Sequence, residues 1–168
     1  TESGMSGEQT VRLASSNDWL VRFVAESNRI EGIQREPTAG ELAAHREFLE
    51  SRVPTVTGLR RFVTAVQPGA VLRMASNLNV RVGSHIAPPG GPYIEGELRA
   101  ILRGTNMGFH PWDTHRLYEN LHPFTDGNGR SGRVLWLWQM LGRDDAERAK
   151  QLWFLHTFYY QTLERARG

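Results

Sequence analysis

The sequence predicts an all-α fold, a compact helical bundle carrying one short β-hairpin. Three observations lead there. Apolar residues recur at helical spacing along most of the chain, beginning with Trp19, Leu20, Phe23 and Val24. Capping signals precede such runs, most clearly Thr38 with Glu41, a Thr-x-x-Glu capping box. A single stretch alternates instead, through Val80, Val82 and Ile86, and the turn-rich Ala87-Pro88-Pro89-Gly90-Gly91-Pro92 follows it.

In chain order, residues 1–16 are polar and small and read as a flexible leading segment, the first four of them, ahead of Met5, as a cloning remnant. Asn17 is the expected N-cap of the first helix, which stops at Gly32. A second helix opens at Thr38 and reaches about Arg52; a third covers Gly58 to Gln67 and ends before Pro68-Gly69. The hairpin occupies Asn79 to Ile86, and helical pattern returns over Ile94 to Arg103 and Pro111 to Leu121. Residues 122–133 interrupt it, and an apolar helix, Val134 to Leu141, follows directly. Asp144 with Glu147 caps an expected last helix running to about Arg167. No internal repeat or linker divides the 168 residues, a length that suits one domain with its own core.

Composition removes several function classes. There is no cysteine, which excludes disulfides, thiolate zinc sites and cysteine nucleophiles. Lys150 is the only lysine and Gln151 follows it, so the Gly-Lys-Ser/Thr of a phosphate-binding Walker loop is absent. The net charge of +2 is too small to argue for a nucleic-acid partner. No apolar run is long enough to span a bilayer and no signal pattern opens the chain, so the expectation is a cytoplasmic protein, or an effector delivered from a cytoplasm.

The chemistry concentrates in His122-Pro123-Phe124-Thr125-Asp126-Gly127-Asn128-Gly129-Arg130-Ser131-Gly132-Arg133. Glycines on both sides of Asn128 let backbone N–H groups converge, and a helix that begins at about Gly129 adds exposed donors and positive potential, together an anion nest. Arg130 and Arg133, three residues apart, can face one side of that helix start and grip phosphate oxygens. Asp126 supplies a hard oxygen suited to Mg²⁺ shared with substrate phosphates. His122 stands at the entrance, where a general base is useful. Each feature has an ordinary explanation by itself: a structural histidine before proline, an Asx-Gly turn, a solvated arginine face. A calcium loop fails in both registers, because counting from Asp126 the twelfth residue is Leu137, and placing Gly129 sixth puts Phe124 first. Two arginines at a helix start oppose its dipole, a placement that becomes cheap when an anion sits there. Base, metal ligand, anion nest and arginines within twelve residues compose a kit for phosphoryl or nucleotidyl transfer.

This segment resembles the Fic motif, His-Pro-Phe-x-(Asp/Glu)-Gly-Asn-Gly-Arg-x-x-Arg, at every specified position. His115, Tyr118 and Leu121 recur at the family spacing, and Val82-Gly83-Ser84-His85-Ile86-Ala87-Pro88 is similar to its flap hairpin. The resemblance implies a Fic fold over 34–168 and a protein adenylyltransferase that moves AMP from ATP to a Ser, Thr or Tyr hydroxyl of a target protein, releasing pyrophosphate. By position it implies His122 as base, Asp126 as Mg²⁺ ligand, and Gly127, Asn128, Gly129, Arg130, Ser131, Gly132 and Arg133 as nucleotide-binding, with Arg133 on the γ-phosphate and Phe124 as a core anchor. Val82, Gly83, Ser84 and His85 belong to the flap, which pairs with an extended target segment as an added strand. Tyr159 and Tyr160 fall where the family builds its adenine pocket. Ser27-x-x-x-Glu31-Gly32 matches the family's inhibitory pattern, making 17–33 an N-terminal inhibitory helix that forms one unit with the rest. There Ser27 and Glu31 share a face, and Glu31 can pair with Arg133 in place of the γ-phosphate. Other donors, phosphocholine transfer, removal of AMP with Glu31 orienting water, a non-catalytic ATP-binding regulator and a toxin–antitoxin module are the alternatives; phosphorylating relatives carry Lys where this chain has Gly129. Self-modification and homo-oligomerisation stay open.

Overall fold

The computed structural model describes residues 7–143, with side chains from residue 19 onward. The described residues are mostly helical: α1 Gly7–Ile30, α2 Ala39–Leu49, α3 Val56–Val66, α4 Pro92–Asn106, α5 Pro111–Leu121 and α6 Asn128–Leu141. Between α3 and α4 lies an antiparallel hairpin, β1 Arg81–Val82 and β2 His85–Ile86, with Arg81 opposite Ile86 and Val82 opposite His85. The expected helix from Asp144, with Tyr159 and Tyr160, lies outside the described residues.

The first helix differs from expectation. It starts at Gly7, ten residues before Asn17, so Asn17 sits inside α1 and residues 7–16 belong to the helix. An Asn can cap a helix but need not stop one approaching from upstream. The C-terminal expectation holds. Gly32 adopts φ +79°, its N–H donates to Arg29 O at 3.0 Å, and Ile33 N–H donates back to Asn28 O at 3.0 Å. This is the Schellman closure, and glycine suits its left-handed position. α2 opens with the complete capping box, Glu41 N–H to Thr38 Oγ1 and Thr38 N–H to Glu41 Oε1, and ends at Leu49, short of Arg52. Thr55 caps α3 through Gly58 N–H, so α3 begins two residues earlier than its apolar pattern suggests.

The main core gathers buried side chains from α2 to α6, among them Phe48, Leu59, Phe62, Ile94, Leu98, Tyr118, Phe124 and Leu135. A second cluster joins α1 to α6: Leu20, Phe23 and Val24 pack on Trp136, Leu137 and Met140. Fully burying one such side chain is worth roughly 1.5–3 kcal/mol, so this cluster alone can hold a helix in register. The same face of α1 continues through Ser27 to Glu31, and the facing stripe of α6 begins at Arg133. The helix pair therefore runs antiparallel, and its apolar end fixes where its polar end meets.

At the junction of α1, α2 and α3 lies His45, fully buried and edge-on to Phe62 at 4.8 Å and Phe23 at 6.4 Å. Its Nδ1–H donates to Glu41 O at 2.7 Å. Burial, reinforced by the charges of Arg130 and Arg133, pushes the imidazole down from 6.5 to about 4 against the opposing bond to Glu41. Folded His45 thus stays neutral over a range in which the unfolded chain binds a proton, so stability is full above pH 6.5 and declines as pH falls towards 4. The loss across that window is on the order of 3 kcal/mol. Urea titrations at stepped pH should trace it, and His45→Leu should flatten this limb of the profile.

Candidate active site

α5 ends in an unusual residue. His122 takes φ 51° and ψ 63°, and it is the one non-glycine residue with positive φ among those described. Such backbone costs roughly 1–2 kcal/mol and persists only where its surroundings enforce it. His122 N–H closes the helix on Tyr118 O at 2.9 Å, and the left-handed turn swings the chain into a new direction. The side chain is half-buried, and its Nδ1 lies 3.1 Å from Glu119 O. A carbonyl can only accept, so Nδ1 carries the hydrogen and Nε2 the lone pair of the neutral ring. That is the tautomer a base acting through Nε2 requires.

The next residues are held as a short strand. Arg73 N–H donates to Pro123 O and Thr125 N–H to Val71 O, both at 2.9 Å, while Val71 N–H reaches Thr125 Oγ1 at 3.0 Å. Leu72 and Phe124 form the bridge between, and Phe124 is buried in the core, as its expected anchoring role demands. Asn128 closes the loop from the other end: its Oδ1 accepts Phe124 N–H at 2.9 Å and its Nδ2 donates to Phe124 O at 2.8 Å. The Asn128 side chain therefore supports the nest by fixing its backbone. Gly127 takes φ +77° against Val63 and Gln67, where a side chain would be both strained and crowded. Asp126 is exposed, and its Oδ1 accepts Gly127 N–H at 2.7 Å.

The first intrahelical bond of α6 runs from Ser131 N–H to Gly127 O at 3.0 Å, so the N–H groups of 128–130 precede the helix's own ladder. Over this turn lies the carboxylate of Glu31: a Cβ at Gly129 would collide with Glu31 Oε1. The same oxygen accepts from Arg133 Nη2 at 2.6 Å. Arg133 is fully buried and also donates from Nε to Ser27 Oγ at 2.8 Å and from Nη2 to Ser27 O at 3.0 Å. Glu31 thus meets Arg133, with Ser27 from the same face of α1 beside it, and Gly32 turns the chain directly after Glu31.

Arg130 goes elsewhere. Its Nη1 donates to Val66 O at 2.9 Å and its Nη2 to Gln67 Oε1 at 2.5 Å, so it caps the end of α3 rather than sharing one anion with Arg133. Burial lowers its pKa, with the charges of Glu31 and Glu41 acting in the opposite direction. Glu41 Oε2 lies 4.0 Å from Arg130 Nη1 and accepts from Asn28 Nδ2 at 3.0 Å, which ties α1 to α2 beside the site. Burial would raise the Glu41 carboxyl, but hydrogen bonds from Arg35 and Thr38 prevail and hold it down to about 2. Ser131 and Gly132 face inward. Ser131 Oγ donates to Gly127 O at 2.8 Å and accepts from Tyr118 O–H at 2.7 Å, while a Cβ at Gly132 would strike Glu119. His115 Nδ1–H donates to Gly132 O at 3.1 Å, so His115 and Tyr118 seat α6 on α5.

The hairpin turns through Gly83, at φ +59°, and Ser84. His85 Nε2 lies 2.9 Å from Asn120 O, tying β2 to the last turn of α5, while Val82 is half-buried and Gly83 and Ser84 are exposed. Arg73, which sequence reasoning missed, sits at the stem. It is fully buried and donates to Leu78 O (2.9 Å), Pro88 O (2.8 Å), Leu121 O (2.8 Å) and His122 O (2.6 Å). The one sequence signal was an arginine set between Leu72 and Met74, which does not distinguish a buried guanidinium from an exposed one.

Among the described residues no cluster of three His, Asp or Glu forms a metal site. A single exposed carboxylate such as Asp126 nonetheless suits Mg²⁺, which keeps several waters and shares substrate phosphates. No protein-family model matches the chain, and no curated protein matches it. Asn128→Ala should leave the buried N–H and C=O of Phe124 without side-chain partners, at about 3 kcal/mol of stability. Urea unfolding of the variant should read that loss directly.

Proposed function

We propose that the chain is a self-inhibited transferase of the Fic type, passing AMP from ATP to a side-chain hydroxyl of another protein. The observation that carries this reading is the carboxylate of Glu31 lying over the first turn of α6 and bonded to Arg133. A helix N-terminus flanked by a buried arginine is an anion site, and here the chain's own carboxylate fills it. A γ-phosphate would compete for the same guanidinium.

The remaining groups fit the same chemistry. His122 carries its hydrogen on Nδ1, bonded to Glu119 O, which makes Nε2 the basic nitrogen of the neutral ring. In this reading Nε2 takes the proton of the attacking hydroxyl, the oxygen joins the α-phosphorus, and the bond to pyrophosphate breaks. Asp126 would hold Mg²⁺, which neutralises charge on the phosphates. The backbone N–H groups of Asn128 and Gly129 would face the phosphate oxygens that Glu31 now excludes. Arg130 would remain a structural cap of α3 or swing out on binding; its bonds to Val66 and Gln67 favour the first. No helix among the described residues is long and apolar enough to cross a membrane.

Glu31→Gly should remove the carboxylate that competes for Arg133 and raise AMP transfer by about a hundredfold, equivalent to about 2.7 kcal/mol. Intact-mass analysis after incubation with ATP and Mg²⁺, alone and with cell lysate, reads the added AMP. Adding His122→Ala to that variant should abolish the gain while ATP binding, measured by calorimetry, persists. Unchanged turnover in Glu31→Gly would remove the brake from this account.

A further inference from the structure

Arg73 satisfies two parts of the molecule at once. Its four side-chain bonds end on carbonyls from separate stretches: Leu78 just before the hairpin, Pro88 just after it, and Leu121 and His122 at the end of α5. Its main chain extends the pattern, with its N–H on Pro123 O and its C=O accepting Gly91 N–H, both at 2.9 Å. The last carbonyls of any helix lack intrahelical partners. Here Glu119 O takes the His122 ring, Asn120 O takes the His85 ring, and Leu121 O and His122 O take Arg73. The terminus that carries His122 is therefore completed by His122 itself and by residues at the stem and second strand of the hairpin.

The electrostatics favour this arrangement. Burial lowers the pKa of Arg73, yet all four side-chain partners are carbonyl dipoles, two of them at a helix C-terminus, where a cation is stabilised. A guanidinium is planar and presents its donors in a fixed fork. A displacement of the hairpin stem must either break the bonds to Leu78 and Pro88 or carry Leu121 and His122 with it. Lysine, whose three donors all sit on one nitrogen, cannot span both sets.

We propose that Arg73 is a positioning residue that couples the hairpin to His122, so that an extended polypeptide engaged on the hairpin meets an imidazole held in fixed register with it. The structural coupling stands on the bonds above; its catalytic consequence rests on the proposed transferase reading. The left-handed backbone of His122 belongs to this device, since the bond from Arg73 Nε to His122 O holds the strained turn from outside the helix.

The coupling is tested in the whole chain without ligand. Asn79 closes the hairpin stem by accepting Gly90 N–H at 3.1 Å and bonds neither to Arg73 nor to α5. Asn79→Ala should accelerate hydrogen exchange of the hairpin amides by about tenfold and shift the ¹⁵N ring signals of His122. In an Arg73→Lys background the hairpin effect should remain and the His122 response should disappear. A His122 ring indifferent to Asn79→Ala, with Arg73 intact and exchange accelerated, overturns the proposal, as does a response that survives Arg73→Lys. Should Arg73→Lys fail to fold by circular dichroism, Asn79→Ala is repeated in a His85→Ala background, which removes the separate tie to Asn120 O; a His122 response that persists there supports the Arg73 route, and one that vanishes overturns it. In the Glu31→Gly enzyme, Arg73→Lys should lower kcat by about tenfold to a hundredfold with the KM for ATP within about threefold. If Glu31→Gly itself transfers no AMP, the function reading fails while the NMR result on coupling stands.

Discussion

The structure turns on how positive charge at the start of α6 is neutralised. The helix dipole and two buried arginines concentrate there, an arrangement that water alone would not make favourable. Each cation has a distinct solution. Arg133 takes the hydroxyl, carbonyl and carboxylate that α1 offers at Ser27 and Glu31. Arg130 takes the end of α3, with Glu41 nearby. Because Glu41 also holds Asn28 and completes the cap of α2, the elements around the nest share a few carboxylate oxygens. The packing of α1 on α6 through Leu20, Phe23, Val24, Trp136, Leu137 and Met140 gives these polar contacts their register.

The other half of the site is organised by carbonyls rather than carboxylates. The loop from His122 to Asn128 is stitched at one edge to residues 71–73 and at the other to Asn128, with Phe124 sunk into the core beneath. This leaves little freedom for the imidazole. The orientation of His122 follows from a left-handed backbone, a ring bond to Glu119 O and the Arg73 fork, none of which needs a ligand in order to form.

Local features were legible in the sequence and convergent ones were not. The capping box at Thr38, the limits of α5 and the stop at Gly32 each depend on a few consecutive residues, and each appears where the pattern puts it. The pairing of Glu31 with Arg133 was legible only through the family resemblance, the i,i+4 spacing adding that Ser27 shares the face of α1. Arg73 could not be read, because its acceptors come from three stretches that only the fold brings together. Arg130 was assigned the direction of Arg133 from spacing and from the resemblance, yet the carbonyl of Val66 at the end of α3 draws it aside. Ser131 and Gly132 fell within the motif, but a helix has a back as well as a front, and theirs is pressed against Tyr118 and Glu119. Asn17 misled because a polar residue between apolar ones is compatible with a helix already under way.

If Glu31 is a brake, as proposed, the packing of α1 constrains how it could be released over evolutionary time. The face of α1 that delivers Glu31 is the same face that contributes Leu20, Phe23 and Val24 to the interior, so the contact with Arg133 and the packing of the helix are inherited together. Excising the whole segment would expose Trp136, Leu137 and Met140 along with the nest, and a lineage taking that route would need new apolar cover at the same moment. Exchange of one codon at position 31 disturbs only the polar tip of the stripe. On the proposed reading, permanent activation is therefore a short mutational step, while loss of the whole segment is a long one.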